Sequence, residues 1–117
     1  MNLFDLLFGK PVPTLNVLEL NEKLKNGKRP LVIDVRQPDE YRSGHIAGAK
    51  LVPLGELSRH IKELPQNREI VCVCASGNRS GSAARTLVSA GFNAVNLKGG
   101  MLSWRRASFQ VKKGDPA

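Results

Sequence analysis

A chain of 117 residues with 41% hydrophobic and 24% charged side chains has the size and balance of one globular domain, with no room for a second and no need of a disulfide or structural metal to hold its core. The net charge of +8 raises the question of nucleic acid, but the basic residues are scattered and only 5% of the chain is aromatic, so no stacking platform for bases forms and no nucleic-acid partner is expected. Cys72 and Cys74, two positions apart, close no useful loop and lack the second pair that a structural zinc site needs, which points to free thiols in a reducing, cytoplasmic setting.

Residues 1–12 form an apolar N-terminal tail. Leu3, Phe4, Leu6, Leu7 and Phe8 suit one or two helical turns packed on the chain's own domain, and the run is far too short for a transmembrane segment. The domain proper is expected over residues 13–108. Thr14-Leu15 reads as an edge strand, and Asn16 with Glu19 reads as a capping box that opens a helix lined by Val17, Leu18, Leu20 and Leu24. Leu31 to Val35 is a buried strand interrupted only by Asp34, after which Pro38-Asp39-Glu40 supplies the proline and acids of a first helical turn. A turn over 44–48, a short strand over 50–52 and one amphipathic helix over 54–64 follow. Glu69 to Val73 is the next buried strand, residues 80–90 a helix stopped by Gly91, Asn93 to Leu97 a last strand, and Gly99-Gly100 precede a helix with Trp104. Residues 109–117 read as a basic, flexible C-terminal tail. Strands alternating with helices at this spacing predict an α/β fold whose mostly parallel, roughly five-stranded sheet is flanked by helices on both faces.

Ligands of such sheets sit at the carboxyl ends of the strands, where Asp34, Arg36 and Cys74 all fall. Cys74 ends an apolar strand and is followed by Ala75-Ser76-Gly77-Asn78-Arg79-Ser80. If the loop wraps so that its N–H groups point inward, it makes an anion nest completed by the positive end of the next helix. Gly77 permits left-handed backbone and Asn78 tolerates it better than most residues. A thiolate at the base of that nest is stabilised near neutral pH and needs no neighbouring base. Arg79 can hold an oxyanion or stay tied to a carboxylate.

The sequence Cys-Ala-Ser-Gly-Asn-Arg-Ser after an apolar strand resembles the active-site loop of rhodanese-like sulfurtransferases. The resemblance covers roughly residues 14–106: Val32-Ile33-Asp34-Val35-Arg36 with Glu40, then Gly44-His45-Ile46-Ala47-Gly48-Ala49, look like that family's first signature, and Leu97-Lys98-Gly99-Gly100 with Trp104 look like its last. It implies a single rhodanese-like three-layer domain in which Cys74 takes a sulfane sulfur as a persulfide. The sulfur would come from a small anion such as thiosulfate or from a protein donor, and would pass to cyanide, a thiol or a protein acceptor. By the same resemblance, Ala75, Ser76, Gly77, Asn78 and Ser80 cradle the persulfide, Arg79 helps hold an anionic donor, and no cofactor is involved.

Two other functions compete. One is a sulfur-relay or regulatory module that binds a protein partner and carries sulfur without being a free-standing thiosulfate enzyme. The other is a cysteine-dependent phosphatase or arsenate reductase, disfavoured because those loops hold one residue more between Cys and Arg than the four found here. Cys72 is expected to be a core residue rather than a resolving thiol. Asp34 is expected to support the loop by hydrogen bonds or an ion pair, with Arg36 and Glu40 as a separate local pair. His45 is read as a hydrogen-bonded structural histidine, His60 as solvated, and Met101 and Trp104 as core or lid residues. The two separated histidines give no metal site.

Overall fold

Strands buried on both faces have no polar side to show, and this is why the central segments of the chain are apolar nearly throughout. In the computed structural model, which describes residues 2–8 and 11–116, five strands lie in the order β1-β5-β4-β2-β3. They are β1 (Thr14–Leu15), β2 (Leu31–Asp34), β3 (Lys50–Leu51), β4 (Ile70–Val73) and β5 (Ala94–Leu97). Every pairing is parallel, and the register sets Ile33 and Asn96 on either side of Cys72. The α/β architecture read from the sequence is the one observed.

Around the sheet lie α1 (Leu3–Phe8), α2 (Val17–Lys25), α3 (Pro38–Ser43), α4 (Leu57–His60), α5 (Asn78–Ser89) and α6 (Gly100–Arg106). Alternation along β4 divides the core into two clusters. Ile70, Cys72 and Cys74 pack with Ala83, Ala84 and Leu87 of α5. Val71 and Val73 pack on the opposite face with Leu20, Tyr41, Met101 and Trp104, from α2, α3 and α6. Consecutive residues of β4 therefore serve different layers, and the strand's last step delivers Cys74 to the α5 side.

The capping box at α2 is present: Glu19 N–H donates to Asn16 Oδ1 at 2.8 Å, and Asn16 N–H donates to Glu19 Oε1 at 3.1 Å. Leu20 is fully buried, whereas Leu18, expected on the same face, is 65% exposed because it lies about 200° around the helix from Leu20. The single helix expected over 54–64 is instead α4 between two 3₁₀ turns, Leu54–Glu56 and Ile61–Glu63. The reason lies in the spacing of its apolar residues. Leu54 and Leu57, and then Ile61 and Leu64, are three apart, and three-residue winding stacks each such pair on the same cluster.

Both ends of the chain depart from expectation. Leu3, Leu6 and Leu7 of α1 are 70%, 71% and 65% exposed, so these apolar side chains find no cover on the domain, while the side chains of Phe4 and Phe8, expected with them, lie outside those described. The C-terminal segment, expected to be flexible, is held. His45 and Lys112 exchange backbone hydrogen bonds at 2.9 and 2.8 Å, Trp104 Nε1 donates to Gln110 O at 3.0 Å, and Gly114 N–H donates to Arg42 O at 3.0 Å. Phe109 and Val111 supply the missing anchor by packing on the Trp104 cluster, and the lysines that follow mask that anchor in the sequence. Among the described residues no helix is long and apolar enough to cross a membrane.

The two leucines of α2 test this packing. Leu20→Ala is expected to lower the unfolding free energy by about 3 kcal/mol in chemical denaturation, as buried leucine truncations do, while Leu18→Ala stays within about 0.5 kcal/mol.

Candidate active site

Cys74 follows β4 directly, and the chain then bends through residues 75–77 into α5. Gly77 takes the left-handed angle that ends the bend, with φ of 109°. Asn78, the other candidate for such geometry, is already the first residue of α5. With Gly77 turned this way, its N–H donates to Cys74 Sγ at 3.1 Å. The loop thus folds back on its own sulfur, and the first turn of the helix points its free N–H groups there.

Cys74 is only 1% exposed. Burial pushes its thiol pKa up and is the largest single influence. Hydrogen bonds from the Ser80 hydroxyl and from the N–H groups of Ser80, Gly77 and Ser76 together outweigh it, and the pKa lies below the ordinary thiol value. Cys72, two residues back on the same side of the strand, has the burial without the donors, and its pKa is pushed up to about 12, with the nearby Cys74 charge adding to the effect. Two thiols on the same side of the chain are thus shifted in opposite directions, and Cys72 packs as the core residue expected.

Asn96 was not singled out in the sequence, yet it organises the loop. Its Nδ2 donates to Gly77 O at 3.0 Å, and its Oδ1 lies 2.6 Å from Ser80 Oγ, which is itself 3.2 Å from Cys74 Sγ. Ser80 has one proton to give, so Asn96 competes for the donor that stabilises the thiolate. The signal available was a polar side chain inside an otherwise apolar strand, where it needs a partner.

A second clamp comes from α6. Met101 N–H donates to Cys74 O at 2.9 Å and Leu102 N–H to Ala75 O at 3.0 Å. Gly100 makes the approach possible, since a Cβ there would stand 2.4 Å from Cys74 O. Sheet, α5 and α6 therefore all fasten the same few atoms.

The charges pair differently from expectation. Asp34 does form an ion pair, and its partner is Arg36: Nε donates to Oδ1 at 2.9 Å and Nη2 to Oδ2 at 2.8 Å, with Arg36 Nη2 also 2.8 Å from Gly44 O. Both side chains are buried. Glu40, expected beside Arg36, instead takes both guanidinium prongs of Arg79, at 2.8 and 2.9 Å. Residues 34 and 36 point to one side of an extended chain, whereas the four-residue spacing that joins 36 to 40 brings side chains together only within a helix. Hydrogen bonds from Arg79 hold the Glu40 carboxyl down at about 2.

His45, His60, Met101 and Trp104 sit as read. His45 is buried, stacks on Tyr41 at 3.6 Å and donates Nδ1–H to Tyr41 O at 2.8 Å, while His60 pairs with Glu63 near the surface. Met101 and Trp104 are core. Among the described residues no cluster of His, Cys, Asp and Glu could hold a metal ion. Beside Ala75 lies an open cleft of about 280 Å³ whose lining also includes Arg36, Glu40, Met101, Leu102 and Arg105.

Two measurements probe this arrangement. Ultraviolet titration is expected to find one thiolate forming below the ordinary thiol range, absent in Cys74→Ser and shifted upward in Ser80→Ala, with Cys72 silent until far higher pH. For the Glu40–Arg79 pair, a carboxyl lowered from 4.5 to about 2 stabilises the fold at pH above 4.5 and loses that contribution as pH falls toward 2. Glu40→Gln should therefore be less stable than wild type at neutral pH, by about 1 kcal/mol for a solvent-screened bidentate pair, and the two denaturation curves should converge on acidification.

The rhodanese-like domain family model matches residues 16–107. Among curated proteins, YrkF of Bacillus subtilis, whose provisional name is that of a sulfur carrier protein, is 37% identical over 80% of this chain and 51% of its own length. A sulfurtransferase of Allochromatium vinosum is 34% identical over 79% of this chain and 87% of its own. The chain spans about half or less of the length of the first curated relatives it matches. Among solved structures, a rhodanese-related protein of Thermoplasma volcanium superposes with a TM-score of 0.82 at 33% identity, covering 87% of this chain and 99% of that one. With the parallel sheet, the cysteine loop at its carboxyl edge and a match over most of the chain, this protein belongs to the rhodanese-like domain family, among relatives named for sulfur transfer.

Proposed function

We propose that this chain transfers sulfane sulfur through a persulfide on Cys74. The observation that carries the reading is the convergence of the Ser80 hydroxyl and three loop N–H groups on one buried sulfur whose pKa lies below that of an ordinary thiol. A thiolate held in this way attacks the outer sulfur of a donor such as thiosulfate. The new S–S bond forms as the donor's S–S bond breaks, and sulfite leaves with the electron pair. A thiolate or cyanide acceptor then attacks the outer sulfur, and Cys74 departs as thiolate to restart the cycle.

The geometry suits this chemistry in two respects. A persulfide sets the reacting atom about 2 Å beyond Cys74 Sγ, so an acceptor has less far to reach into the loop. The same donors that stabilise the thiolate make it a good leaving group in the second step, so one set of contacts serves both halves of the reaction. Arg79, engaged by Glu40, acts here as a positioning residue that fastens α5 to α3 and contributes positive potential at the loop.

A relay role is favoured by the likeness to YrkF and concerns the donor alone: a protein-bound persulfide would supply the sulfur in place of thiosulfate. Intact-mass measurement tests both. Thiosulfate is expected to add one sulfur to the wild-type chain and none to Cys74→Ser, with cyanide removing it as thiocyanate. A chain that ignores thiosulfate but takes sulfur from a polysulfide or persulfide is a relay. A Cys74 that hydrolyses aryl phosphate and never gains sulfur overturns the proposal.

A further inference from the structure

We infer that Arg105 is an anion-recognition residue at the mouth of the cleft, selecting acceptor thiols that carry a carboxylate over neutral ones. The inference rests on the sulfur-transfer reading of Cys74. Its basis is a charge balance. Around the cleft, Asp34 neutralises Arg36 and Glu40 neutralises Arg79, each through two short hydrogen bonds. Arg105 lines the same cleft and has no carboxylate partner among the described residues. Its side-chain hydrogen bond among the described residues is Nη2 to Gly44 O at 3.4 Å, to an oxygen that already accepts a 2.8 Å bond from Arg36. A guanidinium offers five N–H donors, so most of its binding capacity is left over from this contact.

Arg105 is also well placed to act with the loop. It follows Met101 by one turn of α6, and both side chains line the cleft. The helix cannot drift from the sulfur, because Met101 and Leu102 N–H groups hold Cys74 O and Ala75 O. Ala75, the residue next to Cys74, lines the cleft together with Arg105, so a carboxylate held by the guanidinium keeps its thiol beside the loop. Leu102, 50% exposed and lining the same cleft, gives an apolar wall for the intervening methylenes.

Discharge of the Cys74 persulfide tests this. Wild-type chain and Arg105→Gln, which keeps a donor for Gly44 O, are loaded with sulfur from polysulfide or thiosulfate. Each is then discharged to 3-mercaptopropionate or to 2-mercaptoethanol at matched thiolate concentrations, followed by intact mass. The wild type is expected to prefer the carboxylate-bearing thiol, and the ratio of the two rates to fall about tenfold in Arg105→Gln, the size of one charge-assisted hydrogen bond at a partly solvated site. Arg105→Lys should recover part of the ratio, and salt should lower it in the wild type. Equal rates for the two thiols in the wild type, or a ratio unchanged in Arg105→Gln and by salt, overturn the role of Arg105 while leaving sulfur transfer intact. Failure of Cys74 to load sulfur from any donor overturns the sulfur-transfer reading and this inference with it.

Discussion

A thiol withdrawn from water is driven toward its neutral form unless hydrogen-bond donors reach it, and the fold gathers such donors around Cys74. Its sulfur is buried, and burial alone would leave it as inert as Cys72. The difference between the two thiols is a matter of where β4 stops. Inside the strand, N–H groups are spent on the ladder with β2 and β5. One residue beyond it, they are free to turn toward the sulfur, and the first turn of α5 adds donors that have no carbonyl of their own to meet.

Holding such a loop in place takes more than its own sequence. Three separate parts of the chain fasten it: Asn96 of β5 through Gly77 O, α6 through the carbonyls of Cys74 and Ala75, and α3 through the Glu40–Arg79 pair. Each contact depends on a local permission, such as the absence of a side chain at Gly100 or the left-handed angle at Gly77. The order in which strands enter the sheet puts all three parts at its carboxyl edge. Fold and site are thus solutions to one packing problem.

This division explains what could be read beforehand. The strands, the α2 cap and the cysteine loop were legible because their causes are local: apolar runs, a box of residues 16 and 19, a glycine after a strand-ending cysteine. The charge pairs were not, since Arg79 and Glu40 are 39 residues apart and only the fold brings them together. Asn96 escaped notice for a related reason: its partners, Ser80 and Gly77, lie on the neighbouring loop and helix. The broken helix over 54–63 and the anchored C-terminal segment were hidden because their apolar residues answer to surfaces that exist only after the sheet has formed.

The two outermost strands, β1 and β3, each contribute only two residues to the sheet. Pro13 stands immediately before β1 and Pro53 two residues beyond β3, and neither has an amide hydrogen to offer. The sheet therefore shows another chain very little unpaired backbone on either side, so lateral strand-to-strand association has almost no template.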